Sequence, residues 1–96
     1  MFKLGSLYTT RGVNDEIADN SEFSKEILNC LKRYKLKDWG DLSFEDKMLN
    51  DEAVKNQLND RILAAYITSL GKIYIITEYN CEINKFITTI MFANEY

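Results

Sequence analysis

Apolar residues recur about one helical turn apart in the segment that follows Ser21. The spacing predicts an amphipathic helix near residues 22–35, with Ser21 as its N-cap and one face turned towards the core. A second helix is predicted near residues 44–57, where the apolar stripe is looser, so we expect this helix to lie at the surface. The stripe of the first helix consists of Phe23, Ile27, Leu31 and Tyr34, and that of the second consists of Phe44, Met48, Val54 and Leu58.

From Arg61 onward the helical period gives way to runs rich in Ile, Tyr, Phe and Thr, which are typical of strands. These runs cover residues 61–69, 72–78 and 84–92. Leu70 and Gly71 provide a short hairpin connection between the first two runs, and residues 2–9 form a further, moderately alternating run. We therefore predict an α+β fold: an antiparallel β-sheet of about four strands, residues 2–9 among them, with two main helices packed on one face.

Length and composition indicate one domain over residues 1–96, since 46% of the residues are hydrophobic and 28% are charged. The apolar runs are all shorter than the roughly 18 residues that cross a bilayer. The first ten residues lack the features of a signal peptide, so we expect a cytoplasmic protein with no membrane partner. The chain contains no histidine, which argues against zinc and against a catalytic triad that needs imidazole. We expect no cofactor.

Two cysteines, Cys30 and Cys81, are far apart in the sequence and lack the CxxC spacing of redox or metal sites. Cys30 falls within a helical pattern and Cys81 within a polar connection. Both are therefore expected to be reduced thiols that the fold does not require.

Residues 37–53 hold six carboxylates against two lysines, together with the only tryptophan of the chain. Ser43 and Asp46 have the spacing of a capping box, and acids in a first helical turn favour the positive end of the helix dipole. That cap does not explain the two aspartates on either side of Gly40. We predict an exposed surface here for a basic protein partner, formed by Asp38, Trp39, Asp41 and Glu45.

Other interpretations of individual residues remain open. Trp39 could instead close the small core, because its turn joins two helices that must both meet the sheet. Glu78 follows a β run, so it is either a further partner-binding carboxylate or the solvated end of a strand. Tyr66 and Tyr74 are expected to face each other across the hairpin.

The chain resembles a family of small bacterial proteins from plasmids and other mobile elements, described as plasmid-related proteins and sometimes as subunit M of type I restriction endonucleases. The matching residues extend over nearly the whole chain: Leu4-Gly5, Asp38-Trp39-Gly40-Asp41-Leu42, Glu45-Asp46, Asn50, Ala53, Arg61, Leu63, Ala65-Tyr66, Gly71, Ile76-Thr77-Glu78, Thr88-Thr89 and Glu95-Tyr96. The chain departs from the family at Tyr74, where a tryptophan is usual, and at residues 79–87, which replace a short Asp-Arg turn. It is also too short for a methyltransferase domain and has no glycine-rich cofactor loop.

The resemblance implies an origin on a mobile element, and hence a non-enzymatic protein that inhibits a bacterial defence system of the restriction or CRISPR type. A net charge of −3 is small for an imitation of DNA, so we expect binding to a protein partner, such as the basic channel of a defence nuclease. Three alternatives stay open. The chain could be a housekeeping interaction module whose partner the sequence does not indicate. A nucleic-acid-binding regulator would use the basic run at residues 32–37 with sheet tyrosines, and a small enzyme would use paired carboxylates such as Asp41 and Glu45.

Overall fold

Three α-helices and a four-stranded sheet form the fold in the computed structural model, which describes residues 2–96. In chain order the elements are β1 (Ser6–Thr9), α1 (Arg11–Asp19), α2 (Ser21–Lys35), α3 (Phe44–Lys55), β2 (Ile62–Thr68), β3 (Gly71–Asn80), β4 (Lys85–Phe92) and a closing 3-10 turn (Ala93–Glu95). The predicted α+β class is confirmed. The predicted helix near residues 44–57 ends at Lys55.

The strands lie in the order β1-β4-β3-β2. The three C-terminal strands form the expected antiparallel meander, but β1 pairs with β4 in parallel, with Ser6 opposite Ile87, so the sheet is mixed. Only a tight hairpin forces neighbouring strands to be antiparallel. Three helices separate β1 from β2 in the chain, and they leave the direction of β1 free.

One face of the sheet is buried beneath α1 and α2. Phe23 of α2 stacks on Phe92 of β4 with ring centroids 5.6 Å apart. The Tyr34 hydroxyl donates to Thr77 Oγ1 at 2.7 Å. Thr77 lies 2.7 Å from the Thr88 hydroxyl, which in turn donates to the backbone carbonyl of Leu4. This chain of hydrogen bonds satisfies the polar groups of the core, where each would be costly if left unpaired.

The two main helices begin at side-chain caps. Ser43 accepts a hydrogen bond from the Asp46 amide at 3.1 Å, which confirms the predicted cap of α3. The cap of α2 is Asn20 and not Ser21, because the Asn20 side chain accepts from the Phe23 amide at 3.0 Å. Asparagine and serine are about equally good caps, so sequence alone does not separate these neighbours.

Successive residues of β2 and β3 point to opposite faces of the sheet. Tyr66 lies opposite Ile73, and Ala65 lies opposite Tyr74. The two tyrosines therefore occupy different faces, and the expectation that they meet across the hairpin is wrong. Tyr74 instead contacts Tyr96 edge to face at 5.6 Å.

Both cysteines carry free thiols, with Cys30 buried in the core and Cys81 exposed beyond β3. Burial raises the pKa of the Cys30 thiol, since the charged thiolate is poorly solvated there. No described helix has both the length and the apolar character that a membrane crossing requires.

Candidate protein-binding surface

The connection between α2 and α3 begins with a turn that Asp38 holds in place. Arg33 Nε donates to one Asp38 oxygen at 2.7 Å, and Arg33 Nη2 reaches the other at 3.3 Å. The Gly40 amide donates to Asp38 Oδ1 at 3.2 Å. The bond from Arg33 is the main reason that the pKa of Asp38 is lowered. Asp38 therefore has a structural role that the sequence did not indicate.

Gly40 brings this connection against the outer edge of β2. The Ala65 amide donates to the Trp39 carbonyl at 3.2 Å, and the Asp41 amide donates to the Ala65 carbonyl at 2.7 Å. Gly40 has a φ of 78°, and a Cβ placed on it would lie 2.0 Å from the Ala65 oxygen and 2.7 Å from the Tyr66 ring. Only glycine allows both the positive φ and this close approach.

Trp39 is a core residue, with 3% of its surface exposed. Its ring lies 5.7 Å from Phe2 and 5.6 Å from Tyr34, and its indole N–H donates to Asp51 at 2.9 Å. Of the two roles considered for this residue, the structure shows the core lid. Trp39 therefore does not belong to the predicted exposed surface, and Asp51 is the acceptor of its indole hydrogen bond.

Asn50 closes the next part of the same strand edge. Its side-chain amide donates to the Leu63 carbonyl at 2.8 Å and accepts from the Leu63 amide at 3.1 Å. Asn50 thus pairs with β2 as the backbone of a neighbouring strand would, and an edge satisfied in this way offers less to a foreign strand. The sequence did not indicate this role, because Phe44 and Met48 of the predicted apolar stripe are exposed and Asn50 lies on the buried side of the helix instead.

The outer side of α3 is exposed and partly apolar. The buried residues of this helix are Asn50 and Ala53. Phe44 and Leu49 are each 66% exposed, and Met48 is 54% exposed. Phe44 and Met48 are four residues apart and therefore share one face of the helix.

The segment that contains α3, residues 41–55, carries the whole net charge of the protein. Residues 41–55 contain five carboxylates and two lysines, which gives −3. The rest of the chain has ten acidic and ten basic side chains, so it is neutral. Glu45 is exposed in the first turn of α3. Asp41 is 61% exposed at its side chain and lies 3.5 Å from Lys72 Nζ, an exposed pair that adds little to stability.

Glu78 lies apart from Asp41 and Glu45. It is exposed on β3 opposite Ile87, four residues along the strand from Tyr74, which pairs with Ala65 beside the connection. The structure therefore shows Asp41 and Glu45 exposed on the segment that contains α3, and it shows Trp39 in the core. Asp38 is exposed but bound to Arg33, and Glu78 lies apart on β3.

Comparison with known proteins adds no relative. No family model, no curated protein and no solved structure matches this chain. Among residues 2–96, no group of three or more cysteine, aspartate or glutamate side chains is placed to hold a metal ion.

Proposed function

We propose that this chain is a non-enzymatic interaction protein of a mobile element that inhibits a bacterial defence system by binding a protein partner. The resemblance described above supports the origin on a mobile element and the choice of a defence system. The outer surface of α3 supports the mode of action, which is binding to a protein.

The observation that carries this proposal is the coincidence of exposed apolar side chains and excess negative charge on α3. Large apolar residues in contact with water serve neither folding nor solubility, and clusters of them mark interaction surfaces. Phe44 and Met48 are exposed on one face of α3, and Leu49 is exposed farther round the same helix. The surrounding carboxylates speed the approach of a basic partner and discriminate against acidic ones.

The alternative of a nucleic-acid-binding regulator has less support, because its parts are separated. Tyr34 and Tyr66 are buried, while Tyr74 lies on the sheet face that α2 does not cover. The basic run lies at the end of α2, and Arg33 within it is engaged by Asp38. Stacking of bases on sheet aromatics beside a basic groove requires both features on one surface.

The carboxylate-dependent enzyme also has less support. Asp41 lies beside Lys72, and Glu45 lies in the first turn of an exposed helix. Both side chains are exposed, whereas a catalytic acid or base at neutral pH usually lies where burial or a like charge perturbs it strongly.

The test is expression of the chain in bacteria that carry a restriction or CRISPR system, followed by transformation with a plasmid that the system destroys. We expect wild-type protein to raise the transformation efficiency and to co-purify with a protein component of the system. The variant Phe44→Gln with Met48→Gln should lose both effects, and Leu28→Gln on the exposed side of α2 should keep them. Unchanged transformation in every system tested, or recovery of nucleic acid without protein, would overturn the proposal.

A further inference from the structure

A groove runs along α3 where the helix faces the beginning of β2. Two adjoining depressions form it, and they share Leu49 and Arg61. The first is lined by Leu42, Asp46, Leu49, Asn50, Arg61 and Leu63, and the second by Leu49, Glu52, Ala53, Asn59, Asp60 and Arg61. The two depressions therefore adjoin along one side of α3.

Three leucines line the first depression of this groove. Leu42 and Leu63 are partly buried, and Leu49 is 66% exposed. An apolar side chain that enters here would cover Leu49 and the exposed parts of the other two leucines. Each covered area stabilises the complex through the hydrophobic effect.

The walls of the groove are predominantly acidic. Three carboxylates line it, from Asp46, Glu52 and Asp60, against the single cation of Arg61. The Arg61 guanidinium lies over the Tyr96 ring at 5.4 Å and donates to the Tyr96 hydroxyl. The aromatic contact holds Arg61 to one side of the groove. No carboxylate within residues 2–96 forms an ion pair with Arg61.

We infer that this groove binds a basic amphipathic segment of the partner, with apolar side chains on Leu42, Leu49 and Leu63 and lysines or arginines at the carboxylate walls. Charge complementarity selects this occupant, since the groove lining and residues 41–55 are both net negative. An acidic segment would meet the like charges of Asp46, Glu52 and Asp60. The inference rests on the proposed function and specifies where the partner is recognised and by what chemistry.

Synthetic helical peptides test the inference on the full chain without any knowledge of the natural partner. One peptide has an amphipathic leucine–lysine pattern, a second replaces its lysines with glutamates, and a third keeps the lysines but replaces the leucines with serines. Binding is measured by calorimetry, and the site is mapped by amide chemical shifts. We expect only the leucine–lysine peptide to bind, with shifts concentrated at Leu42, Leu49 and Leu63.

Matched variants distinguish binding in the groove from nonspecific binding elsewhere on the surface. Leu49→Gln should weaken the leucine–lysine peptide about tenfold, because a leucine contact is lost. Leu28→Gln removes an equally exposed leucine from α2 and should change the affinity by less than about twofold if the groove is the site. Glu52→Lys should weaken binding about fivefold at low salt and less at high salt. Glu82→Lys, the same charge change outside the groove, should have little effect.

Several results would overturn the inference. These are shifts that map outside the groove, equal losses in the control variants, or equal binding of the serine–lysine or leucine–glutamate peptide. Self-association of the free protein that Leu49→Gln abolishes would assign the groove to a second copy of the chain.

Failure of the proposed function is a separate result, because the transformation assay uses no peptide. If the Leu49→Gln variant inhibits a defence system as well as wild type, the proposed function is supported and the groove is not its binding site.

Discussion

The residues just before α3 and the residues on its outer side look alike in sequence, since both combine carboxylates with an aromatic residue. They differ in what their side chains contact. Asp38 and Trp39 are joined to Arg33, Asp51 and the core. Phe44, Met48 and Glu45 are exposed. We call the first region, together with Asn50 on the buried side of α3, the edge clamp, which is defined by Asp38, Trp39, Gly40 and Asn50. The second is the outer face of α3.

The comparison shows that acidity and aromatic content do not by themselves mark an interaction surface. In the edge clamp these residues serve to close β2, whose outward backbone groups at Leu63 and Ala65 are all hydrogen-bonded by Asn50 and the connection. On the outer face of α3, the acidic and aromatic residues do not close a strand edge. Substitutions should therefore reduce stability in the edge clamp and reduce binding on the outer face.

The largest effect is expected for Gly40→Ala. The added methyl would meet the Ala65 carbonyl and the Tyr66 ring, and alanine resists the φ of 78°. We expect a loss of about 3 kcal/mol or more in the free energy of unfolding, measured by urea denaturation. The control is Gly71→Ala, which has a φ of 114° but nothing within 4 Å of the new methyl. Equal losses in both variants would show that backbone strain alone matters and that the contact with β2 does not.

The next effect concerns Asn50→Ala, which removes both hydrogen bonds to Leu63. A buried amide and carbonyl would then lack partners, and we expect a loss of about 2–4 kcal/mol. Asn59→Ala is the matched control, because Asn59 is exposed and donates only to the nearby Asn56. It should cost less than about 0.5 kcal/mol. A small cost for Asn50→Ala would mean that water replaces the side chain at the strand edge, and the edge clamp would lose its main member.

The contacts of Gly40 and Asn50 with β2 also show which parts of the fold the sequence could and could not predict. The helix at residues 22–35, the Ser43 cap and the three C-terminal strands follow from local periods and local hydrogen bonds, and each was predicted close to its observed position. The parallel pairing of β1 and the closure of β2 by Asn50 join residues distant in the chain. No local pattern encodes such pairings, because their free energy arises only once the tertiary fold has formed.

The candidate site was predicted in part for the same reason. Glu45 and Asp41 are exposed as expected, since a capping box and a polar turn are local features. Asp38 is exposed as expected, but its bidentate pair with Arg33 was missed. Trp39 was misplaced, because its partner Asp51 lies in α3 and meets the indole only once α3 has packed against the core. Several further residues prove to be structural: Gly5 lies against Phe86, Gly40 lies against Ala65, Thr88 Oγ1 donates to the Leu4 carbonyl, and Glu95 accepts from Thr10 Oγ1.

A smaller effect is expected at Asp38, where the sequence predicted none. Asp38→Asn weakens the bonds to Arg33 and the Gly40 amide and should cost about 1 kcal/mol, since the pair is half exposed. Asp41→Asn, whose side chain has only the exposed contact with Lys72, should cost less than about 0.5 kcal/mol.

The pH dependence identifies the Asp38 contribution. Its pKa is lower in the folded protein than in the unfolded chain, so the carboxylate stabilises the fold above the unfolded value of about 4. This stabilisation is lost as the pH falls through the lowered folded pKa. The difference in unfolding free energy between wild type and Asp38→Asn should therefore be constant at neutral pH and shrink under acid. A difference that persists in acid would show that the effect of the substitution is not electrostatic.

The smallest effect on stability, and the one that decides the role of the outer face, is expected for Phe44→Gln with Met48→Gln. Both side chains are more than half exposed, and glutamine is a good helix former, so the free energy of unfolding should change by less than about 1 kcal/mol. Binding to a partner should nevertheless fall steeply, because large apolar anchors contribute most of the free energy at an interface. A variant that melts well below wild type would show that these residues pack in the fold, and the distinction between the edge clamp and the outer face would then fail.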